Sequence, residues 1–223
     1  MPVRINRGIL SIDGFELRTG EIPVVDLRLK KKCPFVAGES IRRLSRFVGI
    51  LESENIFDSA LSNCLEQCRN TGNVTPIASA LGLGKGLTPS GDDILVGLLA
   101  ALDLLSGEGD ESRSTQTETY SDTIPPPDEQ GTGSHSARLR KNLVSALPAS
   151  LRKHTTMLSA QMLEAAINGN YPESLVSLGD VLADSSDEGK LIRAANAVAG
   201  LGHESGRAML RGFVLGTEIV RNP

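Results

Sequence analysis

The sequence predicts an α+β fold, a small N-terminal β unit followed by a mostly α-helical body. Three observations carry this reading. Residues 3–29 alternate apolar and polar side chains in short runs broken by turn residues. From Glu39 onward the apolar residues recur every three or four positions, the period of a helix with one buried face. Aromatic residues are only 3% of the chain and Trp is absent, so the core must be Leu, Ile, Val and Ala, which suits closely packed helices.

Ile9-Leu10-Ser11-Ile12 runs into Asp13-Gly14, a tight-turn signal, and Phe15 to Arg18 continue the alternation. Thr19-Gly20 marks another turn. Residues 22–29 read as a further extended run, with Pro23 placing it at an edge. So small a hairpin does not stand alone. The expected division is therefore a β unit over 1–37, packed on a helical domain over 38–223. Lys30-Lys31-Lys32 reads as a solvated strand end.

Ile41, Leu44, Phe47, Val48 and Leu51 define the first helix. A second covers 56–68 and is stopped by Asn70-Thr71-Gly72-Asn73, and a short helix over 76–81 ends at Gly82. The clearest element follows, where Ile94, Leu95, Leu98, Leu99, Leu102 and Leu105 form a wide apolar stripe. Gly97, Ala100 and Ala101 leave room for another helix, and almost no charge interrupts the run, so this helix is expected to be central. Residues 107–136 are polar, acidic and rich in Pro, Gly and Ser. They cannot bury enough apolar surface to offset the entropy of ordering, and read as a disordered insertion with His135 solvated inside it. Helices resume over 138–147, 154–168, 172–183, 188–201 and 204–220.

The net charge of −4 over 223 residues gives no sign of nucleic-acid binding. No apolar run is long enough to span a membrane, and the N-terminus lacks the apolar core of a signal peptide, so a cytoplasmic protein is expected. Cys33, Cys64 and Cys68 do not form a disulfide framework. Cys64 and Cys68 share a helix face, but no His or Cys cluster completes a metal site, and buried, reduced thiols are expected.

The chemistry concentrates in 82–93, GLGKGLTPSGDD. Gly82, Gly84 and Gly86 let the backbone approach a ligand closely, and the loop runs straight into a helix. Pro89 suits a first helical turn, and Thr88 or Ser90 a cap. Unpaired N–H groups at a helix start favour a phosphate or carboxylate, with Gly84, Lys85, Gly86, Thr88, Ser90 and Gly91 as the candidate contacts. Asp92 and Asp93 would repel a bare anion. They become useful if Mg²⁺ sits between them and a phosphate, or if one of them carries a proton. A purely structural role, Asp93 as cap and Asp92 favouring the helix dipole, stays open. The loop is neither a Walker A motif nor a dinucleotide-binding fingerprint, because the spacing and the preceding segment are wrong.

Two further helix starts carry hydroxyls. Thr155, Thr156 and Ser159 lie on one face after His154. Gly202-His203-Glu204-Ser205-Gly206 is a glycine-bracketed turn in which His203 can donate a proton or contact an anion. Capping accounts for Thr155, Thr156 or Ser205 singly. Three such starts converging on one pocket would make an anion site.

Gly84 to Asp93 with Leu95 and Gly97, then Thr155, Thr156, Ser159, Ala165, Ala166 and Gly169, then Gly202, His203, Ser205, Gly206, Leu210 and Gly212, together resemble the three sequence blocks of the AllH family. The resemblance covers about 75–221 apart from the insertion. It implies a subunit of a carbamoyltransferase that converts oxalurate and phosphate to oxamate and carbamoyl phosphate, working with an FdrA-like subunit and a large partner subunit. The residue roles rest on the loop and turns themselves: Asp92, Asp93 and His203 are the expected catalytic residues. Gly84, Lys85, Gly86, Thr88, Ser90, Gly91, Thr155, Thr156, Ser159, Ser205 and Gly206 are the expected anion contacts, and Asp92 and Asp93 the expected Mg²⁺ ligands. A non-catalytic scaffold subunit and a stand-alone metal-dependent hydrolase or kinase are the alternatives. Two departures stand out. The N-terminal strand region is shorter than the family pattern, and Ala208 stands close to where an Asp often follows Ser-Gly.

Overall fold

The computed structural model describes residues 3–6, 9–12, 15–18, 26–29, 33, 38–51, 59–106, 132–184 and 187–221. Lys30-Lys31-Lys32 and most of the expected insertion, 107–131, lie outside the described residues.

The α+β expectation, with a β unit packed on the body, is overturned: the chain is mostly helical. Three four-residue strands, β1 (Val3–Asn6), β2 (Ile9–Ile12) and β3 (Phe15–Arg18), form an antiparallel meander in which Ile12 pairs with Phe15; the expected Asp13-Gly14 turn lies outside the described residues. Among the described residues these strands pair with one another. The extended run expected over 22–29 reduces, within 26–29, to a single bridge between Arg28 and Asn170. Three four-residue strands do not set the fold class, whereas the helices supply most of the core residues from Ile41 onward.

The body contains α1 (Gly38–Leu51), α2 (Ser59–Thr71), α3 (Ser90–Leu105), α4 (Thr132–Ala146), α5 (Met157–Ile167), α6 (Glu173–Asp184), α7 (Glu188–Ala199) and α8 (Ser205–Arg221), with 3-10 turns at Thr75–Ala80 and Leu151–Lys153. In α1, Glu39 in the first turn pairs with Arg42 and Arg43, while Ile41, Leu44 and Val48 face inward. Asp187 caps α7 by accepting from the N–H groups of Gly189 and Lys190. Among the described residues no helix is long and apolar enough to cross a membrane.

The expected insertion is shorter than 107–136 at its far end, because α4 already begins at Thr132. His135 is therefore helical and half-buried, with Nδ1 at 3.0 Å from the Arg138 guanidinium. Burial, with the neighbouring Arg138 charge, pushes its imidazole below the usual range. Small polar residues hid this start: Ser136 is fully buried and its hydroxyl donates to the Leu102 carbonyl.

Helix α3 is the central element, and every residue in it except Asp103 is buried. Its main partner is α8. A Cβ on Gly97 would land on the Met209 carbonyl oxygen, and one on Gly212 would land on the Ile94 carbonyl oxygen. Gly97 thus meets Met209, while Ala101, farther along α3, meets Gly216, farther along α8. The two helices therefore run in the same direction and begin side by side.

All three cysteines are free. Cys68 is buried, which pushes its thiol up to about 11, and Cys64 Sγ lies 3.3 Å from Ser79 Oγ. Of the buried thiols expected from the sequence only Cys68 is buried; Cys33 and Cys64 are half-buried.

Candidate functional site

The parallel pairing of α3 and α8 sets two helix N-termini next to each other, and the loop 82–89 ties a third to them. Gly82 adopts φ +76, with its Cα against the His154 carbonyl, so no side chain fits there. Gly84 adopts φ +120, and a Cβ on it would sit 2.6 Å from the Ser90 nitrogen. The Gly91 N–H donates to Leu83 O at 2.9 Å, which folds the loop back over the start of α3. The Thr156 hydroxyl donates to Leu87 O at 2.5 Å and accepts from Ser159 N at 3.2 Å, so it both caps α5 and holds the loop.

Neither Thr88 nor Ser90 caps α3. The N-cap position is Pro89, with no side-chain bond, and its carbonyl accepts from the N–H groups of Asp92 (2.9 Å) and Asp93 (3.2 Å). The Thr88 hydroxyl instead lies 2.7 Å from Ser205 Oγ at the start of α8.

The paired carboxylates have different surroundings, although both are only 1% exposed. Asp92 is engaged at both oxygens: Oδ1 accepts from the Gly82 N–H at 2.7 Å and Oδ2 from the Thr155 hydroxyl. It stitches the loop to the segment before α5. Asp93 lies beside the hydroxyls of Ser205 and Thr88, and its Oδ2 is buried without a partner. Burial pushes the Asp93 carboxyl up to about 7, and the Asp92 charge adds to this. The Ser205 and Thr88 hydroxyls pull the other way. Asp93 is thus the group here that can hold or release a proton near neutrality.

These surroundings fit Mg²⁺ poorly. An ion between the two carboxylates would have to share the Asp92 oxygens with the Gly82 N–H and the Thr155 hydroxyl. No group of three or more His, Cys, Asp or Glu side chains suited to a metal converges among the described residues.

The other expected contacts divide. Ser90, Gly91, Gly206 and Ser159 are buried, and the Ser159 hydroxyl has no partner. Gly84, Lys85, Gly86 and Leu87 are exposed. The N–H groups of 85–88 make no backbone hydrogen bond among the described residues. His203 is not drawn into the cluster: its side chain is 96% exposed and its Nδ1 lies 3.8 Å from Glu204. A glycine-bracketed turn brings Ser205 inward and leaves the preceding histidine outside. Ala208 is fully buried, so position 208 lies in packed surroundings. Two cavities lie elsewhere, about 350 Å³ among α1, α2 and α8, and about 160 Å³ between α1 and α7. The carboxylate site itself is closed by the Thr88–Ser205 and Thr155–Asp92 contacts.

A second polar cluster escaped the sequence reading. At the other end of α3, Asp103 accepts from the Tyr171 hydroxyl and pairs with Arg140 Nε at 2.6 Å, while Arg140 Nη2 donates to Ile167 O at 2.7 Å. Burial, with the Asp103 charge next, pushes the Tyr171 phenol far above its usual range. The signal available was a lone acid closing an otherwise apolar helix.

A family model described as "Oxamate carbamoyltransferase subunit AllH" matches residues 80–217, more than half of the chain, and the matched span begins just ahead of the glycine loop and ends within α8. No curated protein and no solved structure matches.

Proposed function

Because the chain belongs to the AllH family of oxamate carbamoyltransferase subunits, we propose that it works within a carbamoyltransferase-type complex and receives an oxyanion at the glycine loop. The ligand is carbamoyl phosphate, phosphate or the carboxylate of an oxalurate-like substrate. The partners are an FdrA-like subunit and a large subunit. The observation that carries this reading is Asp93, buried beside two hydroxyls with one oxygen unpartnered and its carboxyl held near neutrality.

The chemistry needs such a group. Carbamoyl transfer from oxalurate to phosphate breaks a C–N bond and forms a C–O bond, and the departing oxamate nitrogen must gain a proton. Once the Thr88–Ser205 contact opens to admit the substrate, a neutral Asp93 can donate that proton and is left as carboxylate. Below pH 7 its O–H also faces an anion without repulsion. The N–H groups of 85–88 and the starts of α3, α5 and α8 supply the positive partial charge. Asp92 acts by positioning, since its oxygens already hold Gly82 and Thr155. His203 takes no part in this version.

Titration calorimetry of the purified chain with carbamoyl phosphate, phosphate and oxamate, at pH 6 and pH 8, tests the binding. Binding that is tighter at pH 6 supports the reading, and no heat from any ligand with the fold intact defeats it.

The closed surroundings of Asp92 favour a second reading, a non-catalytic subunit whose loop is a rigid docking element. Asp93→Asn in the reconstituted complex separates the two. Unchanged turnover with normal assembly would favour the scaffold.

A further inference from the structure

Large apolar side chains are exposed at few described positions: Leu27, Leu87, Met157, Leu158 and Ile192. Three of these five gather at one place. Leu87 is 76% exposed at the tip of the glycine loop, and the Thr156 hydroxyl on its carbonyl sets it beside Met157 (69%) and Leu158 (46%) at the start of α5. Among the described residues nothing packs them away from water, and a loop tip and a first helical turn tolerate polar residues at lower cost in water.

The chain segments that carry this patch bring exposed cations with them, against the negative charge of the whole chain. Lys85, two residues before Leu87, and Arg152 and Lys153, five and four before Met157, are exposed, and Arg152 pairs with Glu164 at 3.7 Å. The whole chain carries −4. An apolar centre with a polar, charged rim is the anatomy of a protein interface, and rim charges select partners of complementary sign. Three side chains are fewer than a standard interface of about 1,600 Å² buries, so they are its centre only.

We infer that the face formed by Leu87, Met157 and Leu158 is where a partner subunit docks, and that this partner presents an apolar contact ringed by Asp and Glu. The inference rests on the proposal that the chain works as a subunit. Docking there would cover the glycine loop, so the oxyanion site would be completed and shielded from water at the subunit boundary.

The test uses the full chain with the purified FdrA-like and large subunits, measuring binding to each by interferometry at low and high salt. Leu87→Glu and Met157→Glu change exposed residues, and unchanged thermal midpoints will show that they fold. Each should weaken binding by about tenfold or more. Ile192→Glu, on α7, should change it less than about twofold. Lys153→Glu should weaken binding at low salt and flatten its salt dependence. Unaltered binding in Leu87→Glu and Met157→Glu, or loss only in Ile192→Glu, overturns the inference. So does a failure of the unmodified chain to bind either subunit, or a self-associated dimer that Leu87→Glu dissolves. Titration of the isolated chain with carbamoyl phosphate reports the site separately. If that ligand does not bind while Leu87→Glu still breaks assembly, the site reading fails and the docking face stands.

Discussion

Thr88 Oγ1 and Ser205 Oγ lie 2.7 Å apart across 117 positions of sequence, joining the loop before α3 to the first residue of α8. This hydroxyl pair closes the end at which two parallel helices begin. It also sits beside Asp93, whose charge it helps to support. Thr88→Val and Ser205→Ala should each cost about 0.5–1.5 kcal/mol. Because they remove the same bond, the double variant should cost clearly less than the sum. Urea unfolding of the four proteins checks this, and strict additivity would mean the two hydroxyls do not interact in solution.

Asp93 sets a pH dependence with a definite sign. Its folded carboxyl titrates at about 7, against 3.8 for an ordinary one, so the folded state binds the proton more tightly. The stabilisation from this group is complete below about pH 4 and is lost as the pH rises through 7. Three pH units correspond to roughly 4 kcal/mol as an upper bound. Asp93→Asn should remove that slope and stabilise the chain at pH 8 relative to the parent. The measurement is chemical unfolding at pH 5 and pH 8, and equal slopes in both proteins would refute the assignment.

The helical body was legible because its apolar period is regular: the stripe from Ile94 to Leu105 leaves no competing reading. The three helix starts at Ser90, Met157 and Ser205 could be read from their hydroxyls and glycines. What could not be read was the division of labour between Asp92 and Asp93. Adjacent residues on a helix point in different directions, and their partners, Gly82 and Thr155 against Thr88 and Ser205, are set by chain segments far apart. The reach of α4 back to Thr132 was hidden for a related reason. Its first turns carry Ser136 and His135, whose burial depends on α3 rather than on local hydrophobicity. The β unit was overweighted because alternation identifies strands locally, whereas the fold class is set by the helices that make up most of the chain.

The close approach of α3 and α8 depends on backbone lying where a methyl would be. Gly97→Ala would place Cβ on the Met209 carbonyl, and Gly212→Ala on that of Ile94. Backbone cannot rotate away as a side chain can, so the helices must separate. Each change should cost about 1–3 kcal/mol or more, despite the better helix propensity of Ala. Gly49→Ala, where a Cβ meets nothing, should be neutral or slightly stabilising. Thermal denaturation of the three variants distinguishes packing from propensity.

Asp92 should behave as a stitch rather than as an acid. Thr155→Val removes the donor to Oδ2 and should cost about 1–3 kcal/mol, because the carboxylate it abandons is buried. Asp92→Asn leaves an acceptor for the Gly82 N–H only if the amide oxygen faces it, and the amide then meets the Thr155 hydroxyl with its donor side. Amide exchange at Gly82 should therefore accelerate more in Thr155→Val and Asp92→Asn than in Asp93→Asn, which leaves this stitch intact. Equal protection of Gly82 in all three would show that the loop is held without Asp92.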